Sequence, residues 1–185
     1  VTCIVGLKSR GRVLIGGDSA GVGGLDLQVR ADQKVWARDG FAFGFTTSFR
    51  MGQLLQYSLA LPKRHPDVDL MKWMVTDFVD AVRTCLKTGG FAAKQNEEER
   101  GGTFLVGHAG RLFRIDADYQ VGEMFAEYDS CGCGESYAKG ALYATTTAAD
   151  LDPDARVLIA LNAAQQMSAG VRGPFTVVSV GEEKS

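Results

Sequence analysis

The apolar positions of this chain change their period four times, and each change marks the edge of a layer. Val5, Leu7, Val13 and Ile15 alternate on either side of Ser9-Arg10-Gly11, a turn sequence in which Gly11 tolerates positive φ, so the chain opens as a β-hairpin. A turn centred on Arg10 pairs Lys8 with Arg12, Ile4 with Gly16 and Thr2 with Asp18. A glycine-rich connection follows (Gly21, Gly23, Gly24), then an extended piece over 27–30, and strands over 34–37 and Phe41–Phe45 joined at Asp39-Gly40. From Ser48 the period becomes helical. Met51, Leu54, Leu55, Ser58 and Leu59 share one face and Pro62 lies just past the end. Asp69 precedes a longer helix whose face runs Leu70, Trp73, Met74, Phe78, Ala81, Val82 and Cys85, closing at Gly89-Gly90. A stripe of this kind reads as core or subunit interface rather than a cofactor box.

Residues 91–102, with the run Gln95-Asn96-Glu97-Glu98-Glu99-Arg100, read as a solvated connection. Strands resume over 103–106, 112–115 and 123–128, and a helix of small residues covers 137–144. Asp152-Pro153-Asp154 places an N-cap, a proline at the first helical position and a dipole-matched acid in order, which predicts a further helix; 175–180 is the last strand. Strands, two helices, strands, two helices and a strand do not wind as alternating βαβ units. The grouping predicts an α+β fold, two antiparallel sheets face to face with a helix pair on each outer side, a four-layer αββα sandwich over a single domain, 1–185.

Composition narrows the function. With 185 residues, 45% of them apolar, and a formal net charge of -2, the chain is long enough for one sizeable core and carries no polyanion-binding signature. Nucleic-acid partners are not expected. No apolar run reaches the roughly 18 residues of a membrane span, and no secretory pattern opens the sequence, so a cytoplasmic location without membrane contact is expected. Cys3, Cys85, Cys131 and Cys133 then read as free thiols, Cys131 and Cys133 as small packed residues. His65 reads as a loop residue and His108 as a strand end, and neither has metal-ligand spacing, so no metal is expected.

The chemistry lies in the first quarter. A Thr2 freed at the amino terminus carries hydroxyl and α-amine on one residue, and an α-amine titrating at about 7.7–8.0 is partly neutral near pH 7. Nucleophile and base then arrive together. Lys34, held by Asp18, supplies the nearby cation that favours an alkoxide-like oxygen. Cys3 is the competing nucleophile, but strand alternation points it to the opposite face from Thr2.

Thr2 in Val1-Thr2-Cys3-Ile4-Val5, Asp18 in Gly16-Gly17-Asp18-Ser19 and Lys34 in Gln33-Lys34-Val35 together resemble the N-terminal nucleophile hydrolases, in particular the proteasome β-subunit and HslV peptidase group. The glycine-rich step Gly132-Cys133-Gly134-Glu135-Ser136 is similar to that family's lead into its third helix. The resemblance implies the αββα sandwich, a threonine peptidase needing no cofactor, and self-association into rings or ring-derived stacks. It also implies peptide or unfolded-protein substrates fed by an ATP-driven unfoldase. It assigns Thr2, Asp18 and Lys34 as catalytic, and Thr47, Cys133 and Ser168 to the oxyanion and substrate region. At these last positions the chain departs from the family pattern: Cys133 replaces a serine, and Thr47 in Phe45-Thr46-Thr47-Ser48 is the nearest match to the family's glycine whose N–H receives the oxyanion. The late acid has no counterpart within 166–173, where Ser168 offers a hydroxyl. Val1 must be absent from an active enzyme, removed either by trimming of the start or by self-cleavage. The alternatives are a catalytically impaired ring or scaffold subunit and an amidase acting on small substrates.

Overall fold

The computed structural model describes residues 1–91, 93–95, 98–148 and 150–181. Strands β1 (Cys3–Ser9), β2 (Arg12–Gly17), β12 (Tyr128–Gly132) and β13 (Thr176–Val180) form one antiparallel sheet in the order β12-β1-β2-β13. Strands β5 (Val35–Arg38), β6 (Phe41–Phe45), β9 (Phe104–His108), β10 (Arg111–Ile115) and β11 (Val121–Glu123) form the second, in the order β11-β10-β9-β6-β5. Two small hairpins stand apart, β3 (Ala20–Gly23) with β4 (Asp26–Val29) and β7 (Ala93–Gln95) with β8 (Glu98–Arg100).

Period-two alternation sorts the side chains into three cores. Ile4, Val13 and Ile15 of the first sheet meet Val35, Ala42, Leu105 and Leu112 of the second between the sheets. Their neighbours Cys3, Val5, Leu7 and Leu14 turn outward onto helices α3 (Glu135–Ala144) and α4 (Pro153–Met167), through Ala138, Leu142, Val157, Ala160, Leu161 and Ala164. On the far side of the second sheet, Phe41, Phe43, Phe45 and Phe113 pack on α1 (Phe49–Tyr57) and α2. Helix α2 runs as Leu70–Trp73, a π-helical turn Met74–Phe78, and Val79–Thr88. The layers are therefore helix, sheet, sheet, helix, as the grouping of periods implies. Gly44 permits the close approach of the sheets, since a Cβ there would strike Ile4, Ile15 and Val35.

The caps follow the expected signals. Ser48, Asp69 and Asp152 each accept a backbone N–H with the side chain at the start of a helix, and Pro153 occupies the first turn of α4. Several boundaries differ from those expected. The first turn is the two-residue Arg10-Gly11, both at positive φ (51° and 71°), so the register pairs Ile4 with Gly17 and Ser9 with Arg12. That one-residue shift sets Asp18 opposite Cys3, with the Asp18 N–H donating to the Cys3 carbonyl at 3.3 Å, and corrects the expected pairing of Thr2 with Asp18. The stretch expected as one strand over 123–128 is the end of β11 and the beginning of β12, which lie in different sheets. The 91–102 connection contains the β7–β8 hairpin, its residues 92, 96 and 97 lying outside the described residues. The connection at 21–24 belongs to the β3–β4 hairpin, and α3 begins at Glu135 rather than Tyr137.

The two histidines fall where the sequence puts them. His65 is in an exposed loop, and His108 ends β9, stacked flat on Phe41 with ring centroids 3.7 Å apart. Trp73 and Phe78 belong to the core. Among the described residues, no helix is long and apolar enough to cross a membrane.

Candidate active site

Three elements converge at the start of β1. Thr2 precedes its first residue, Asp18 follows the last residue of β2, and Lys34 immediately precedes β5. The Lys34 Nζ donates to Thr2 Oγ1 at 2.9 Å and to Asp18 Oδ1 at 2.8 Å. All three side chains are buried, and the Lys34–Asp18 pair is almost wholly removed from solvent. Strand register alone would have carried the Asp18 carboxylate past Thr2. Instead, backbone donors hold it in place: Cys3 N–H at 3.0 Å to Oδ1, and Ala20 N–H at 3.0 Å and Arg172 N–H at 3.2 Å to Oδ2. A carboxylate satisfied in this way stays put and keeps the lysine aimed at the hydroxyl.

Burial draws the Lys34 ammonium below the ordinary lysine range, and the opposing attraction of Asp18 restores only part of the drop. Cys3, on the other face of β1, is fully buried; desolvation pushes its thiol up to about 12, against a weaker opposing effect of its contact with Ser130. Cys3 packs with Val5, Leu7 and Leu14 against the outer helices, on the face of β1 away from Thr2 as strand alternation predicts.

The glycine-rich turn after β12 closes the site. Gly132 has φ +102°, and a Cβ there would run into the Thr2 carbonyl, so only glycine fits. Cys133 follows, exposed and not packed as expected; its Sγ accepts from the Thr2 N–H at 3.3 Å and lies 3.3 Å from Ser168 Oγ. Cys131 fits the expectation and is buried between the sheets. The hydroxyl of Thr2 donates to the Val1 carbonyl oxygen. Among the described residues, no three His, Cys, Asp or Glu side chains converge as a metal site.

Thr47 lies across from these groups. Together with Val1, Gly21, Asp26, Arg30 and Phe49 it lines a cavity of about 430 Å³. Its φ is +73°, a conformation costly for a β-branched residue, and its Oγ1 accepts from the Thr103 N–H at 3.1 Å. Glycine at position 47 is expected to be more stable than alanine there by about 1 kcal/mol, because both lose the hydroxyl but only glycine is at ease at that φ. Urea denaturation of the two variants measures the difference; equal midpoints and slopes would show that the backbone there is unstrained.

Sequence reasoning missed the backbone N–H of Arg172 on Asp18 and the contact of Gly132 with Thr2. The first carries no side-chain signal at all. The second is signalled only by a glycine whose need for positive φ becomes visible once β12 is placed. Arg30 was read only as the end of an extended piece. It stacks on Phe49 with its guanidinium carbon 3.8 Å from the ring centroid and is held by Asp32 at 2.6 Å.

No protein-family model matches the sequence, and no curated protein does. Solved structures do match. BPH of Thiobacillus denitrificans in complex with epoxomicin superposes with a TM-score of 0.82 over 98% of this chain and 100% of that one, at 20% identity. HslV from Trypanosoma brucei gives a TM-score of 0.71 over 97% and 99% of the two chains at 16% identity. Anbu, the ancestral β-subunit, from Yersinia bercovieri gives 0.67 over 97% and 81% at 18% identity. The chain therefore has the fold of HslV and the proteasome-type N-terminal nucleophile hydrolases.

Proposed function

We propose that this chain, when it begins at Thr2, is a threonine peptidase of the proteasome and HslV type. The observation that carries the reading is the single ammonium of Lys34 shared between Thr2 Oγ1 and Asp18 Oδ1 at 2.9 and 2.8 Å in a buried site. Thr2 Oγ attacks the peptide carbonyl carbon while its proton moves through a water to the Thr2 α-amine. Lys34 remains charged and lowers the cost of negative charge on Oγ, and Asp18 fixes Lys34.

The carbonyl oxygen, now carrying the charge, is received by the Thr47 N–H, which donates to no other group among the described residues. Collapse breaks the C–N bond and the leaving amine takes the proton from the Thr2 amine. Water then cleaves the Thr2 ester, which returns the free hydroxyl and releases the acid. Cys133 and Ser168 form a short polar relay beside the amine. No cofactor enters the chemistry.

In the same reading the domain assembles with copies of itself into rings that enclose the sites. Unfolded polypeptide reaches them with the help of an ATP-driven unfoldase, in the cytoplasm. Turnover of a fluorogenic peptide by protein begun at Thr2 tests the chemistry. Thr2→Ala is expected to abolish it, and epoxomicin, seen bound to the T. denitrificans protein, is expected to block it. Equal turnover by Thr2→Ala would overturn the assignment, and light scattering reads the assembly separately.

A further inference from the structure

The turn that carries Cys133 is flanked by Gly132, which pairs with Cys3 in the sheet, and by Gly134, whose N–H donates to the Thr2 carbonyl oxygen at 3.3 Å, and it holds a thiol at hydrogen-bond distance from Thr2. Side-chain contacts on its two sides restrain it further. Arg114, on β10 of the second sheet, reaches across to the edge strand of the first. Its Nη1 donates to the Ser130 carbonyl at 3.2 Å and to Glu135 Oε2 at 3.3 Å, while its Nε donates to Asp116 Oδ1 at 2.9 Å. Nη1 also faces Asp129 Oδ2 at 3.8 Å, an ion pair too long for a hydrogen bond. Asp129 is buried; its Oδ1 is bound by Lys139 of α3 at 2.8 Å, and its Oδ2 has no hydrogen-bond partner among the described residues.

Asp129 and Ser130 precede the turn; Glu135 and Lys139 follow it. One guanidinium thus ties together both ends of a glycine-flanked loop and anchors them to a strand of the opposite sheet. A planar fork with several donors suits this task, and an ammonium in its place would reach only part of it. Although burial opposes its charge, the bond to Asp116 and the surrounding carboxylates hold the Arg114 pKa above the ordinary arginine value, so the cation is permanent.

We infer that Arg114 is a positioning residue: by clamping both ends of the Gly132-Cys133-Gly134 turn, it sets the Cys133 thiol against the Thr2 nitrogen. The inference rests on the peptidase reading for its consequence in catalysis, but not for its consequence in the reactivity of Cys133. In protein begun at Thr2, Arg114→Met is expected to lower kcat about tenfold with KM changed less than about twofold, since displacing a group that orients the amine affects the reacting state and not substrate capture. In a Cys133→Ala background the same substitution is expected to cost less than about threefold, because the group it positions is already gone. Glu135→Gln loosens only the outer end of the clamp at a half-exposed site, and is expected to show the same kcat-selective loss at smaller size. It serves as the test if Arg114→Met does not fold.

A second measurement needs no activity. Cys133 is the exposed thiol, Cys3 and Cys131 are buried, and Cys85 is half-buried, so alkylation by iodoacetamide can be followed at Cys133 by peptide mass. Freeing the turn is expected to raise its rate by about threefold or more. Unchanged alkylation and unchanged kcat in either variant would overturn the clamp while leaving the peptidase intact. Faster alkylation in a protein that shows no Thr2-dependent turnover would keep the clamp and overturn the peptidase.

Discussion

Asp18→Ala is expected to cost about 3–5 kcal/mol of stability and to abolish peptide turnover, a large effect for one carboxylate. The size follows from what the carboxylate satisfies. Three backbone N–H groups, of Cys3, Ala20 and Arg172, and the Lys34 ammonium all donate to it at 2.8–3.2 Å. Alanine takes the acceptor from three backbone donors at once and leaves a buried cation without its counter-ion. The cation has one escape, which is to lose its proton.

Burial already holds Lys34 below the ordinary lysine value of 10.5, and without Asp18 the opposing attraction disappears, so its pKa falls further. A base whose pKa is lower in the folded than in the unfolded chain binds fewer protons when folded. Its destabilising effect is complete below the folded pKa and is relieved as pH rises towards 10.5. Urea denaturation of Asp18→Ala across neutral to alkaline pH is therefore expected to show a deficit against wild type that shrinks as pH rises. A deficit under about 1 kcal/mol at neutral pH would mean that the carboxylate does not hold this site together.

The sandwich was legible because its evidence is distributed. Period changes at Ser48, at Thr103 and at Asp152, with caps and glycines at their edges, each constrain the layer order, and a misplaced end in one of them leaves the grouping intact. Register was not legible to the same degree. Whether the first turn has two or three residues depends on Arg10 accepting positive φ, a property its identity hardly signals, and one residue of slip changes every partner across the hairpin.

Thr2, Asp18 and Lys34 nevertheless lie together, although the hairpin pairing that suggested it is off by one residue. Asp18 stands opposite Cys3 rather than Thr2, and Lys34 links the two side chains as expected. The exposure of Cys133 and the reach of Arg114 depend on how β12 meets the second sheet. A stretch read as one strand over 123–128 had hidden that junction.

Retaining Val1 is expected to lower turnover by about 10²–10⁴-fold against protein begun at Thr2, the scale of a lost general base. In the peptide bond to Val1 the Thr2 nitrogen is an amide, with no lone pair to accept the hydroxyl proton. The hydroxyl itself donates to the Val1 carbonyl oxygen, and Val1 lines the cavity of about 430 Å³ that Thr47 and Phe49 share. Thr2 beneath it is only 3% exposed.

These obstructions leave different signatures. An occupied cavity raises KM, whereas an acylated nitrogen lowers kcat and removes the limb of the pH–rate profile set by an amine titrating at about 7.7–8.0. Intact mass fixes which chain is in the cuvette, and the profile of each chain then separates the two causes. If the limb persists with Val1 attached, the base is some other group and the amine has no part in the reaction. If neither chain turns over peptide while light scattering shows rings, the fold serves assembly alone, and the Lys34–Asp18 pair is retained for the three backbone donors it organises rather than for the hydroxyl it touches.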